Sequence, residues 1–174
     1  MAANYTVGNE KYAGFDAAAR AALGALETLR GEFLLLMEQD IAAYDGYRAA
    51  LALPKNSPDE KSARSRALAA AREQSTAVPE SILSAARKGL EAVLALSAAS
   101  NPNLAGDVAS SAYFLEACAR AAAIQIVSNC AAVDSDGANV CRRSQAADVV
   151  AHCQALREKI HAAVLLLILP ISNP

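Results

Sequence analysis

The sequence predicts an all-α fold, an antiparallel helical bundle of about five helices with one very long helix near the N-terminus, and three observations carry that prediction. Hydrophobic residues make up 54% of the 174 positions but aromatics only 5%, with alanine supplying much of the apolar share. Small side chains let helices approach closely, whereas a sheet would be enriched in Val, Ile, Tyr and Thr. Alternation of period two never persists beyond a few residues. Apolar residues instead recur in steps of seven, with Phe15, Ala22, Leu29 and Leu36 in one row and Ala19, Leu26, Phe33, Asp40 and Tyr47 in a second. Two such rows share one helix face, which must be buried against neighbours. The length suits a single helical domain spanning residues 1–174.

The opening, Met1 to Tyr12, is mostly polar and reads as a lead-in. The long helix runs from about Phe15 to Leu51 and is stopped by Pro54, since the residue before a proline is pushed out of the helical region. Ser57, Pro58, Asp59 and Glu60 then supply a hydroxyl cap, a proline in the first turn and acids at the positive end of the dipole. They start a second helix, about Pro58 to Thr76, with a basic solvated face. Pro79 predicts a break or kink before a third, more apolar helix from about Glu80 to Ala99. The turn Ser100-Asn101-Pro102-Asn103 precedes a fourth helix from about Leu104 or Asp107 to Asn129, whose scarcity of charge predicts burial on most sides. A loop with Asp134, Ser135, Asp136 and Gly137 leads to the last helix, about Arg142 to Leu169, ended by Pro170.

Composition excludes several classes of function. Sixteen Lys and Arg nearly balance 18 Asp and Glu, and no basic stripe interleaved with aromatics appears, so nucleic acid is not an expected partner. Cys118, Cys130, Cys141 and Cys153 form no Cys-x-x-Cys pair, and no metal site is expected. His152 and Cys153 are adjacent and therefore point in different directions on a helix. No secretory signal pattern opens the chain, so a cytoplasmic location is the default. The apolar run Ala162 to Leu169 is far short of the ~20 residues that span a bilayer, and it reads as a core or interface segment, with no membrane association expected.

Three polar residues stand out. Asp40 interrupts an apolar row, where a carboxylate is costly unless paired, hydrogen-bonded or used. It either snorkels at an edge, meets a basic partner, or lines a site. Lys55 is a solvated loop cation or a ligand for an anion, and Asp107 a first-turn acid or a catalytic group.

Several segments together resemble a known family. They are Asn4-Tyr5-Thr6-Val7-Gly8-Asn9-Glu10-Lys11-Tyr12, Asp40 to Asp45, Leu53-Pro54-Lys55-Asn56 with Glu60 to Arg64, Val78-Pro79, and Asn101-Pro102-Asn103-Leu104-Ala105-Gly106-Asp107. In order and spacing, from about Asn4 to Asp134, they resemble the cyclodeaminase/cyclohydrolase family. That family includes the cyclodeaminase domain of formimidoyltransferase-cyclodeaminase and the serine-cycle methenyltetrahydrofolate cyclohydrolases. The resemblance implies an all-α homodimer or higher homo-oligomer in folate one-carbon metabolism, with a tetrahydrofolate derivative as substrate and no permanently bound cofactor. One branch adds water to the methenyl bridge to give 10-formyltetrahydrofolate. The other expels ammonia from the 5-formimino group and closes the same bridge.

Both reactions pass through a tetrahedral carbon between two nitrogens and need proton transfers that a positioned carboxylate performs. By resemblance Asp107 is the acid/base, and Asp40 binds or orients the pterin. Lys11 and Lys55 match family lysines that would meet folate carboxylates or developing charge. Tyr12 and Tyr44 stand where an aromatic is usual, Asn103 belongs to the Asn-Pro-Asn turn, and Arg120 matches an arginine of the fourth helix.

The departures from the family pattern define a rival reading. Family members begin with a helical segment carrying a Pro-Thr-Pro-Gly-Gly-Gly-Ser-like motif, and this sequence starts after it. Asn9-Glu10-Lys11 replaces a run of three lysines, Gly106 a serine, and Gln125 an asparagine. A bundle without that segment would expose the apolar stripe it covers, for a partner subunit or the Ala162 to Leu169 run to cover instead. The alternative is accordingly a non-catalytic truncated paralogue acting as a helical interaction or scaffold protein.

Overall fold

The computed structural model describes residues 1–97, 101–131 and 137–169. Among them every long element is a helix. Five α-helices, α1 (Ala2–Thr6), α2 (Asp16–Ala52), α3 (Pro58–Ser97), α4 (Ala105–Ala131) and α5 (Gly137–Ile168), are joined with two short 3-10 turns, Glu10–Phe15 and Pro102–Leu104. Ser100, the loop residues 134–136 and Pro170, which the sequence reading assigns to a turn, a loop and a helix stop, lie outside the described residues.

The lead-in is more ordered than its polarity suggests. Ala2, Ala3 and Thr6 are buried on one side of α1, and the Thr6 hydroxyl donates to the carbonyl of Ala2 at 3.0 Å. Gly8 then takes a left-handed backbone, φ +73°, which an L side chain would resist. Its N–H donates to Asp16 Oδ1 at 2.7 Å, while Arg20 Nε donates to the other oxygen at 2.7 Å. The Arg20 hydrogen bond first, and the Gly8 N–H second, hold the Asp16 carboxyl below the usual carboxylate range.

Helix α2 follows its predicted limits within a residue or so. Arg64 closes the α2–α3 hairpin by donating through Nε and Nη2 to the carbonyl of Leu51 at 3.4 and 3.3 Å. Glu60 N–H donates to Ser57 Oγ at 3.2 Å while Ser57 N–H donates to Glu60 Oε2 at 3.0 Å, a reciprocal capping box that starts α3.

Of the break or kink that the sequence predicts at Pro79, the break does not occur: α3 runs through it as one helix. A proline lacks the N–H that would donate to the carbonyl four residues earlier, here Ser75. Asn129 of α4 fills that role, its Nδ2 donating to Ser75 O at 2.5 Å. The proline ring itself is buried. The last helix also differs, beginning at Gly137 and not near Arg142.

Helix α3 is the hub, packing against α2, α4 and α5. The main core is formed by Leu83, Leu90 and Val93 of α3, Val108, Ala119 and Ile126 of α4, and Cys153, Leu156 and Ile160 of α5. Burial pushes the Cys153 thiol up to about 11, so it behaves as a small core group, while its neighbour His152 faces out. Gly89 lets α3 and α4 come close: a Cβ there would lie 3.0 Å from Leu115 Cδ2. Helix α4 is buried on one face only, with Tyr113, Phe114, Ile124 and Val127 exposed, contrary to the expected burial on most sides. Within the Ala162 to Leu169 run, Val164 is buried, whereas Leu166, Ile168 and Leu169 are exposed. No helix among the described residues is long and apolar enough to cross a membrane.

Helix α2 is the outer layer, and its rows separate. Ala22, Leu29, Leu36 and Ala50 are buried, and in the second row Ala19 is buried, Leu26 and Phe33 are half-buried and Asp40 is exposed. Tyr47, next in that row, is half-buried again, so the exposure is local to Asp40 and its neighbours.

Candidate functional site

One groove gathers functional-looking groups around a sequence-predicted acid. It has a volume of about 570 Å³ and lies where α1, the first half of α2, the C-terminal end of α3 and the start of α4 meet. Its floor is apolar, from Leu26, Phe33, Val93 and Leu115. Its polar lining consists of Asn4, Glu27, Arg30, Asp107 and Ser111. The size falls in the range of small-molecule sites, roughly 300–1,000 Å³, which typically combine apolar walls with a few polar groups.

Asp107 sits in the first turn of α4, two residues after the helix begins, where unsatisfied N–H groups and the helix dipole favour a carboxylate. It is exposed and makes no hydrogen bond or ion pair among the described residues. Glu27 and Arg30, by contrast, are paired with each other at 2.8 Å, and Ser111 Oγ donates to the carbonyl of Val108 at 2.8 Å. Asp107 is therefore the groove's acid whose proton-accepting oxygens remain uncommitted. Asn103 stands one turn before it, on the short 3-10 turn, its N–H held by Asn101 Oδ1 at 3.0 Å.

The other predicted residues are distributed elsewhere. Lys11 and Tyr12 lie on the 3-10 turn before α2, with Lys11 Nζ 5.7 Å from the centre of the Tyr12 ring. Asp40 and Tyr44 are exposed on the outer surface of α2. Arg48 lies 5.9 Å from the Tyr44 ring. Lys55 is exposed in the α2–α3 loop. The groove extends along α2 only as far as Leu34. At 1.5 Å per residue, Asp40 is ~9 Å and Tyr44 ~15 Å farther along the helix. Of the predicted residues only Asp107 lines the groove; Asn103 stands on the turn before α4, and Lys11, Tyr12, Asp40, Tyr44 and Lys55 lie outside the lining.

Arg120 is committed to its own helix and the next. It donates to Glu116 Oε1 through Nε at 2.9 Å and Nη2 at 2.7 Å, and to Gln154 Oε1 at 3.0 Å. Arg157 Nε donates to Glu116 Oε2 at 2.7 Å, so one buried carboxylate ties α4 to α5. Burial pushes the Glu116 carboxyl up, but the hydrogen bonds from Arg157 and Arg120 outweigh it and hold the group below its ordinary value. The i,i+4 spacing of Glu116 and Arg120 is visible in the sequence; their connection to Arg157 and Gln154, which depends on how α5 packs, is not.

A second, larger cavity of about 730 Å³ between α3 and α5 holds Arg87, Arg142 and His152. These three side chains already have partners. Arg142 is bound to Glu73 and, at 3.2 Å, to Glu80, while Arg87 meets Glu91 at 2.8 Å and His152 Nε2 lies 3.8 Å from Glu91. The cavity therefore offers a ligand less than the Asp107 groove does. Sequence reasoning missed Glu27, Arg30 and Ser111 as groove residues because they carry no motif and only packing brings them together.

Comparison with known proteins places this geometry in context. Residues 1–149 match the family model described as formiminotransferase-cyclodeaminase. The chain is similar to the methenyltetrahydrofolate cyclohydrolase of Methylorubrum extorquens, at 27% identity over 164 residues, covering 94% of this chain and 79% of that protein. Its fold is similar to that of the formiminotetrahydrofolate cyclodeaminase of Thermotoga maritima, with a TM-score of 0.73 at 20% identity over 97% of this chain and 78% of that one.

Proposed function

The chain belongs to the formiminotransferase-cyclodeaminase family, and from that premise we propose that it acts on tetrahydrofolate-bound one-carbon units as a methenyltetrahydrofolate cyclohydrolase or a formiminotetrahydrofolate cyclodeaminase. The observation that carries the reading is the unpaired carboxylate of Asp107 in the apolar groove. The groove's apolar walls suit a pterin ring, and the uncommitted carboxylate suits a proton shuttle.

In the hydrolytic direction, water adds to the carbon bridging the two folate nitrogens and Asp107 takes one of its protons. The tetrahedral carbon then breaks its bond to N5, which receives that proton from Asp107, while the remaining hydroxyl proton is released to solvent as the formyl C=O forms and 10-formyltetrahydrofolate is left. In the deaminating direction, N10 adds to the formimino carbon and loses its proton to Asp107, which passes a proton to the departing ammonia as the bridge closes. One carboxylate performs both transfers in either direction. Asn103 contacts substrate beside it, and Lys11 and Tyr12 bind the folate from the turn before α2. Arg120, held by Glu116, acts by fixing α4.

Asp40, Tyr44 and Lys55 join the site through a homodimer. Leu34, Met37, Ile41 and Tyr44 are exposed and follow the spacing of one helix face, and Asp40 flanks it. A second copy seated on that stripe would carry Asp40 and Tyr44 into the subunit interface. The same stripe favours the rival reading, a non-catalytic helical interaction protein, because a docking face needs no chemistry. Both readings place the protein in the cytoplasm.

Asp107→Asn separates the two. Hydrolysis of methenyltetrahydrofolate should fall by about 10²-fold or more, the size of a lost acid/base contribution, with the helical circular-dichroism signal unchanged. Wild-type protein that shows neither hydrolysis above the spontaneous rate nor calorimetric heat with folates would remove the enzymatic reading and leave the scaffold one.

A further inference from the structure

We propose that a small crevice on the opposite part of the bundle from the groove is a binding site for an oxyanion, the carboxylate or phosphate group of a small ligand, with Arg72 as its principal contact. The crevice, about 150 Å³, is lined by Tyr47 of α2, Arg72 and Ser75 of α3, and Ser128 and Asn129 of α4. No acid lines it.

Arg72 is the anomaly that marks the place. Arg64 and Arg66 bond the Leu51 carbonyl and the Ser62 hydroxyl, Arg48 is exposed beside Tyr44, and Arg20, Arg30, Arg87, Arg120, Arg142 and Arg157 each have a carboxylate partner. Arg72 has none among the described residues, and its Nε is buried without a hydrogen-bond acceptor. A guanidinium stays charged at any physiological pH, and a buried donor left unmade is costly. Its planar fork matches the paired oxygens of a carboxylate or phosphate, the geometry in which arginine binds anions most strongly.

The remaining groups complement that fork. The hydroxyls of Tyr47 and Ser128 make no hydrogen bond to other described residues and are free to donate. Ser75 Oγ is turned to the carbonyl of Ala71 at 2.9 Å, and Asn129 is fixed on Ser75 O. The α3–α4 corner is thus locked by the same Asn129 contact that lets α3 pass through Pro79, and a preformed corner loses little entropy when it binds. A water takes up about 30 Å³ of liquid, so the space holds a tetrahedral or planar oxyanion together with residual solvent. The site does not depend on the folate reading.

The test uses protein labelled with ¹⁵N-arginine, titrated separately with inorganic phosphate and with acetate at constant ionic strength set by chloride. The Arg72 Nε–Hε resonance, identified by its loss in Arg72→Leu, should shift saturably with at least one of them. Tyr47→Phe should weaken that binding by about threefold to tenfold, as expected for one lost hydrogen bond to a charged group. The same anion should raise the thermal midpoint of the wild type and leave that of Arg72→Leu unmoved. Saturation with phosphate alone, or with acetate alone, assigns the ligand class. A linear drift shared by the other arginine resonances, or an equal thermal shift in wild type and Arg72→Leu, overturns the proposal.

Discussion

The inner side of the bundle and the outer face of α2 are built from similar residues and end in opposite states. Where α3, α4 and α5 meet, Leu90, Ile126, Cys153 and Ile160 are wholly buried. On α2, Leu34, Met37, Ile41 and Tyr44 remain 55%, 63%, 64% and 63% exposed. Hydrophobicity does not separate them; the number of packed neighbours does. Helix α3 touches three long helices, whereas the main partner of α2 is α3 alone. A helix with one long neighbour can bury one stripe, and α2 carries two. The difference teaches that its second stripe is left uncovered by the described residues of this chain.

The largest effect expected on the folded chain tests how the inner side is held. Asn129→Ala would orphan the Ser75 carbonyl that Pro79 cannot serve, at a cost of about 1–3 kcal/mol in urea unfolding. In a Pro79→Ala background, where residue 79 regains its N–H, the same change should cost much less. An equal loss in both backgrounds would mean that Asn129 stabilises α3 by some other route.

A smaller effect concerns the α4–α5 tie at Glu116. Its carboxyl titrates lower in the folded protein than in the unfolded chain. A depressed folded value gives stability that is fully present above the unfolded carboxylate value, ~4.3, and lost as pH falls through the folded one. The urea midpoint of the wild type should therefore exceed that of Glu116→Gln by a constant amount at neutral pH, corresponding to roughly 1 kcal/mol, and the gap should close in acid below the unfolded value. A gap that stays constant down to pH 3 would show that Arg157 and Arg120 do not stabilise the charged form.

Those two sites also mark where the sequence was readable. The all-α class, the limits of α2 and the capped start of α3 follow from local rules: a period near seven, Pro54, and Ser57 with Glu60. Pro79 defeated the local rule because its remedy lies 50 residues later, at Asn129, and reaches Ser75 only once α4 packs. Asp40 is exposed, which fits the edge position among the alternatives the pattern left open; a heptad row says which residues share a face and not which of them a neighbour covers. For the candidate site, family resemblance pointed to Asp107, but its groove partners Glu27, Arg30 and Ser111 carry no pattern of their own. They are selected by three-dimensional packing, which periodicity does not encode.

The smallest effect on the fold is expected on the outer face, and it sharpens the comparison most. Ile41→Asp replaces an exposed side chain, so the unfolding free energy of an isolated chain should move by no more than about 0.5 kcal/mol, as for surface changes away from packed features. If α2 pairs with a second copy along Leu34, Met37, Ile41 and Tyr44, the same change sets a carboxylate into an apolar seam twice, once from each subunit. Sedimentation velocity should then show the wild type as a dimer and Ile41→Asp as a monomer at the same concentration, with circular dichroism unchanged. Folate turnover, if Asp40 and Tyr44 act across that interface, should fall together with the dimer fraction and recover as protein concentration rises. Ile41→Asp protein that dimerises like the wild type would show that the exposed stripe belongs to another partner and that Asp40 is remote from the chemistry.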